Sequence, residues 1–163
     1  MVRRVEGLRW ARPLAGWPSG IPHSRPRGAK ALGLRYERAL ARALPSAQHG
    51  RWWEYEDANG HGLCQTDLII DLGARVLVLE SKLRWVAEGH AQVELLYRPV
   101  LERALAKPVF GGVVCKTLVP EARSAGVQVV GDLRSFAEVA EAGGRAVLHW
   151  PGTGYPLGPV LGV

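Results

Sequence analysis

The chain reads as an α/β domain with a central mixed β-sheet flanked by helices. Three observations carry that expectation. Residues 29–44 form a helix-forming run, two branched apolar runs at 63–71 and 76–83 are joined by a tight glycine turn, and helical and strand-like segments follow one another to residue 143. At 163 residues the chain can bury one core and is short for two. A single domain over 29–150 is therefore expected, between a basic Pro/Gly-rich arm at 1–28 and a Gly/Pro-rich tail at 151–163.

The arm mixes Arg with Pro, Gly, Trp10 and Trp17 and keeps no period. It is either a disordered basic tail or a strap packed on the domain through its tryptophans. From Ala29 to Leu44 the composition favours helix and Pro45 closes it. Gly33, Glu37, Leu40 and Leu44 share one helical stripe, which sets a carboxylate among leucines.

Residues 51–57 (RWWEYED) predict a strand, with Asn59-Gly60 as the turn behind it. LCQTDLIID and VLVLESKL predict two more strands, completing a β-meander. Residues 88–106 are helical, with Pro99 expected to kink or interrupt the helix. VFGGVVC at 109–115 is a buried strand, 128–130 a short one, and 133–143 a last helix stopped by glycines.

Lys plus Arg outnumber Asp plus Glu by 21 to 15, for a formal charge of +6 and an isoelectric point near 9.8. That balance suits a partner bearing phosphate but names none. Cys64 and Cys115 are far apart in apolar surroundings, so a reducing, cytoplasmic setting is expected rather than a disulfide framework. No stretch approaches the roughly 20 apolar residues of a membrane span. His61, Cys64, Cys115 and His149 lack the paired spacing of a zinc set.

The chemistry concentrates at the hairpin. With Gly73-Ala74 as a two-residue loop, Leu72 faces Arg75. Counting outward, Asp67 falls opposite Glu80 and Gln65 opposite Lys82, all on one face, while Leu68, Ile70, Leu72, Leu77 and Leu79 take the other. Opposed carboxylates, with Cβ atoms about 5 Å apart, repel unless something neutralises them. Mg²⁺ or Mn²⁺, which prefers hard oxygen ligands and keeps waters, does so. Lys82 is placed to hold an attacking water or to balance charge on phosphorus. Glu37 completes the shell, through water or at a second metal. Exposed ion pairs contribute only about 0–1 kcal/mol, a poor reason for charges to interrupt two apolar strands.

In these residues the sequence resembles the PD-(D/E)XK nuclease superfamily: a helix carrying Glu37, then Asp67, a hairpin, Glu80-Ser81-Lys82, and a helix from about Glu88. The resemblance spans roughly residues 29–116 and implies a restriction-endonuclease-like fold and Mg²⁺-dependent (or Mn²⁺-dependent) hydrolysis of DNA. It also implies that Asp67, Glu80 and the Ser81 carbonyl are metal ligands. Thr66 stands where a proline often precedes the aspartate. The recombination-exonuclease branch carries Gln and Tyr four residues apart on the following helix, whereas Gln92 and Tyr97 are five apart. Size instead points to junction-resolving or phage-type members acting on branched or otherwise structured DNA.

Gln65, Gln92, Arg35 and Trp85 are the candidate DNA contacts. Gln92 would touch the pocket or a phosphate, Arg35 (with Arg38 and Arg42) backbone phosphates, and Trp85, alone among mostly core tryptophans, an unpaired base. Two symmetric cuts would need a homodimer. The alternative from a different class is a catalytically silent nucleic-acid-binding or scaffolding protein with the same fold.

Overall fold

The computed structural model describes residues 2–159. In chain order the elements are β1 (Trp10–Pro13), α1 (Ala29–Ala43), β2 (Gln48–His49), β3 (Trp52–Asp57), β4 (Gly60–Gln65), β5 (Leu68–Asp71) and β6 (Val76–Arg84). Next comes α2 (Ala87–Gln92), which runs through a π-helical segment (Val93–Tyr97) into α3 (Arg98–Leu105). β7 (Val109–Thr117), α4 (Pro120–Ser124), β8 (Val127–Val130), α5 (Leu133–Glu141) and β9 (Arg145–His149) complete the chain. The protein is α/β: a six-stranded mixed sheet in the order β2-β5-β6-β7-β9-β8, plus a three-stranded antiparallel sheet β1-β3-β4. Among the described residues no helix is long and apolar enough to cross a membrane.

The large sheet is covered on both faces. Leu68, Ile70, Leu72, Leu77 and Leu79 pack with Tyr36, Leu40 and Leu44 from the α1 side and with Leu133, Phe136 and Ala140 of α5. Ile69, Val76, Val78 and Val109 on the other face meet Val93, Leu96, Tyr97, Val100 and Leu101, with Trp53 and Tyr55 of the small sheet. The leucine alternation read from sequence therefore fixes the face. The register is also as expected: Leu68 lies opposite Leu79 and Ile70 opposite Leu77. The turn closes through Leu72 N–H to Arg75 O (2.9 Å), with Gly73 at φ 86°, a left-handed conformation that glycine adopts without strain.

One expectation fails instructively. LCQTDLIID is not one strand but two, because the chain leaves the small sheet at Thr66 and joins the large one at Leu68. Buried Thr66 holds the crossing: its N–H donates to Arg51 O (3.0 Å), and its hydroxyl accepts from Trp53 Nε1 (3.1 Å). Gln65 consequently pairs with Trp52, not with Lys82. β6 thus loses its antiparallel neighbour beyond Leu79 and is paired only with β7 through its polar half.

The arm is a strap. β1 adds an edge strand to β3, a position where Pro13 is tolerated. Asp57 accepts from Arg3 (3.4 Å) and from the Glu6 N–H (3.2 Å). Pro99 has no N–H to offer the Leu95 carbonyl four residues back, and Val5 N–H occupies that carbonyl at 3.0 Å. The α-helical run is interrupted as expected: the proline sits at the start of α3, directly after the π segment. β2, α4 and β9, too short or too weakly patterned to be read from sequence, complete the sheet and its flank.

Candidate functional site

Where β4 and β5 part, Asp67 turns its carboxylate toward the unpaired edge of β6. Its Oδ2 accepts from Ser81 N–H (2.8 Å) and from Ser81 Oγ–H (3.0 Å). An extended residue presents its N–H and C=O to the same side, so the Ser81 carbonyl shares this edge. Glu80, one residue back, is 3% exposed, and its buried Oε2 has no hydrogen-bond partner. Lys82 Nζ lies 4.0 Å from Glu80 Oε1. Behind Lys82, Gly89 lets α2 approach closely: a Cβ there would sit 2.8 Å from Val113 Cγ2 and 3.6 Å from Lys82 Cε.

Glu37 projects from α1 and meets His49 of β2, Oε2 to Nε2 at 2.6 Å. Burial, reinforced by the charge of Asp67, raises the Glu37 pKa to about 8. Burial first, with Arg38 helping, lowers that of His49 from its ordinary 6.5. The two shifts run in the direction that disfavours the charged form of each partner. Glu80 is pushed well above the usual carboxylate range by burial and then by Asp67, against the opposing pull of Lys82. Glu37 and Glu80 thus each feel the Asp67 charge in a poorly hydrated place, which raises the energy of their ionised forms.

The helix after β6 supplies a fourth wall. An α-turn sets residues four apart on one face, whereas the π segment does so for residues five apart. Gln92 Nε2 accordingly donates to Tyr97 Oη at 2.7 Å, and Tyr97 Oη–H donates to Gln65 O at 3.0 Å. Burial, then the charges of Glu80 and Asp67, holds the phenol above its ordinary range. One π turn thus brings Gln92 and Tyr97, five residues apart, to the same side of the helix.

Glu37, Asp67, Glu80, Ser81 and Lys82 are thus brought together, with Gln92 joined to them through Tyr97. Gln65 reaches the same region by a different route: its Nε2 donates to Gly50 O (3.0 Å), and it lines a cleft with Glu37, Arg38 and His49. Arg35 is exposed on α1, but Arg38 is the α1 cation on the cleft wall. Trp85 is corrected outright as a stacking residue. Its ring is buried with Val113, Cys115 and Val119, and its Nε1–H is spent on His90 (3.1 Å), so no face is left for a base. Sequence reasoning passed over His49, which no pattern marks, and took Tyr97 only as a marker of spacing from Gln92, although both stand beside the cluster.

The donor set fits a hard divalent cation. Two carboxylates and a carbonyl, with water, suffice for magnesium, and the orphaned Glu80 Oε2 is an acceptor in want of a partner. Among the described residues no three His, Cys, Asp or Glu side chains converge as a ready-made metal cluster. Comparison of the chain with protein-family models, with curated proteins and with solved structures finds no match.

Proposed function

We propose that this protein is a Mg²⁺- or Mn²⁺-dependent deoxyribonuclease of the PD-(D/E)XK type, hydrolysing DNA phosphodiester bonds at the open edge of β6. The observation that carries the reading is the meeting of Asp67, Glu80 and Lys82 at that edge, with Glu80 buried and half-unpartnered. Asp67, Glu80 and the Ser81 carbonyl would hold the cation, which when bound neutralises the acidic cluster, polarises the phosphate and acidifies water.

The chain's own groups do the rest. Ser81 fixes the Asp67 carboxylate by two hydrogen bonds, so the ligand is oriented in advance. Lys82 Nζ balances negative charge as water adds to phosphorus and the ester P–O bond breaks, the leaving alkoxide taking a proton from solvent. Glu37, through His49, holds or releases a proton at the rim of the same cluster. Tyr97 and Gln92 fix the end of β4 against the site. The net positive charge supports a polyanionic substrate.

The test is incubation of the purified chain with Mg²⁺, Mn²⁺ or EDTA and labelled linear, circular, branched and single-stranded DNAs. Metal-dependent cuts that vanish in Asp67→Ala and Lys82→Ala are expected. Binding without turnover on any of these substrates would leave the silent nucleic-acid-binding reading in its place.

A further inference from the structure

We infer that Trp17 and His23 of the arm form a stacking platform for an unpaired base, so that the strand delivered to the acidic site is single-stranded. This rests on the nuclease reading for what the site does, and on separate observations for what it binds. Residues 14–26 hold no regular element, yet they are firmly shaped. Leu14 N–H donates to Trp52 O (2.9 Å) and Trp17 Nε1–H to Ile21 O (2.7 Å). The Trp17 ring meets Trp52 edge-on at 5.2 Å and carries His23 stacked on it at 4.1 Å, with 25° between the planes.

Trp53, Trp85 and Trp150 are buried, whereas Trp17 is 44% exposed although both its N–H and its edge are anchored. An indole held through its N–H and against Trp52, with nearly half of the residue still in solvent and one aromatic ring already stacked on it, is a surface suited to a further flat ring. Its position makes that surface useful. A cleft of about 460 Å³ runs from Trp17 and His23 past Arg38 to Glu37, His49 and Gln65, at the edge of the carboxylate cluster. A second cleft, of about 470 Å³, lies across Trp17 and is bounded also by His49, Gly50 and Arg51.

Trp17 therefore stands between two hollows that meet over His49–Gly50, each with an arginine on its wall. Aromatic faces interleaved with cations along a groove are how proteins hold single strands without reading sequence, and each hollow is within the size range of small-molecule sites. An intact duplex keeps its bases stacked inside and has none to offer such a platform.

The experiment measures binding, not cleavage. The full chain in EDTA is titrated against a short labelled oligothymidylate of about 12 nucleotides, an abasic strand of equal length, and a blunt duplex, by fluorescence anisotropy. The wild-type chain is expected to prefer the oligothymidylate to the abasic strand. Trp17→Ala should weaken oligothymidylate binding on the order of tenfold while leaving the abasic strand and the duplex within about twofold. His23→Ala should do the same more weakly.

Equal affinity of the wild-type chain for base-bearing and abasic strands overturns the platform whether or not any variant folds. An equal loss on all three probes in Trp17→Ala overturns it too. Base-dependent binding in a chain that never cuts would instead remove the nuclease reading and leave the platform standing.

Discussion

The two halves of β6 differ in pairing, burial and polarity. Val76 to Leu79 are flanked by β5 on one side and β7 on the other, and all four are buried and apolar. Glu80 to Arg84 keep β7 but have no strand on the other side, and every residue there is polar except Leu83. One strand thus serves as a core element for half its length and as a scaffold for charged groups for the rest. The switch happens where its neighbour crosses to the other sheet. A sheet edge opened inside a domain gives side chains a rigid backbone and a vacancy to face, which is what a preorganised site requires.

The largest effects should come from the polar half. Asp67→Ala, Glu80→Ala and Lys82→Ala are each expected to lower metal-dependent cleavage per folded molecule by about 10³-fold or more, read by single-turnover assays. A comparable loss of folded protein in all three would erase the distinction between the halves.

In the apolar half the order reverses. Leu79→Ala removes a fully buried side chain from the cluster shared with α1 and α5, and should cost about 2–5 kcal/mol in urea denaturation. Cleavage per folded molecule should stay near that of the parent chain. A catalytic defect beyond the unfolded fraction would mean that the halves are mechanically coupled.

Acid titration sharpens the same contrast. Glu37 and Glu80 hold their protons more tightly folded than unfolded, so the folded chain carries more protons between the ordinary 4.5 and about 8. Stability contributed by these groups therefore falls as pH rises through that window. His49, lowered from 6.5, acts in the opposite sense below its ordinary value, so the fall should be clearest between about 6.5 and 8. Thermal melts across this range should show it, and Glu80→Gln should flatten the slope. Mg²⁺ should raise the melting temperature most at the alkaline end, where the carboxylates are ionised. Cleavage should climb toward pH 8 in parallel.

Legibility in the sequence followed how local each determinant is. The leucines of β5 and β6 alternate and Gly73 marks their turn, so face, register and the nearness of Asp67 to Glu80 could be read without coordinates. The strand break could not. Gln65-Thr66-Asp67 continues the same alternation, and the crossing depends on Arg51 and Trp53, which no local pattern links to Thr66. The face of Glu37 was readable from helical spacing, but its partner His49 sits in a two-residue strand with no period at all. Trp85 looked available because it follows the Glu80-Ser81-Lys82 strand, and the reason it is not lies in His90 on the next helix. Trp17 could be read either way from sequence, and the structure anchors it while leaving 44% of the residue in solvent.

The smallest expected effect concerns the wall that ties the polar half to the small sheet. Tyr97 Oη joins Gln92 of α2 to the backbone of Gln65, and it does so only because the π segment turns residues five apart onto one face. Tyr97→Phe keeps the ring in its apolar cluster but leaves the Gln65 carbonyl and the Gln92 amide without this partner, a loss of about 1 kcal/mol by urea denaturation. Deleting Glu94 would shorten the spacing to four and let a regular α-helix carry the same contact, at the expense of the Glu94–Arg145 ion pair on the exposed side. If the π turn exists to align Gln92 with Tyr97, the deletion variant should cut DNA better than Tyr97→Phe, once both are corrected for folded fraction. If it exists only to accommodate Pro99 and the Val5 strap, the deletion should loosen the arm and cut no better, and protease nicking within residues 2–9 would report the loosening.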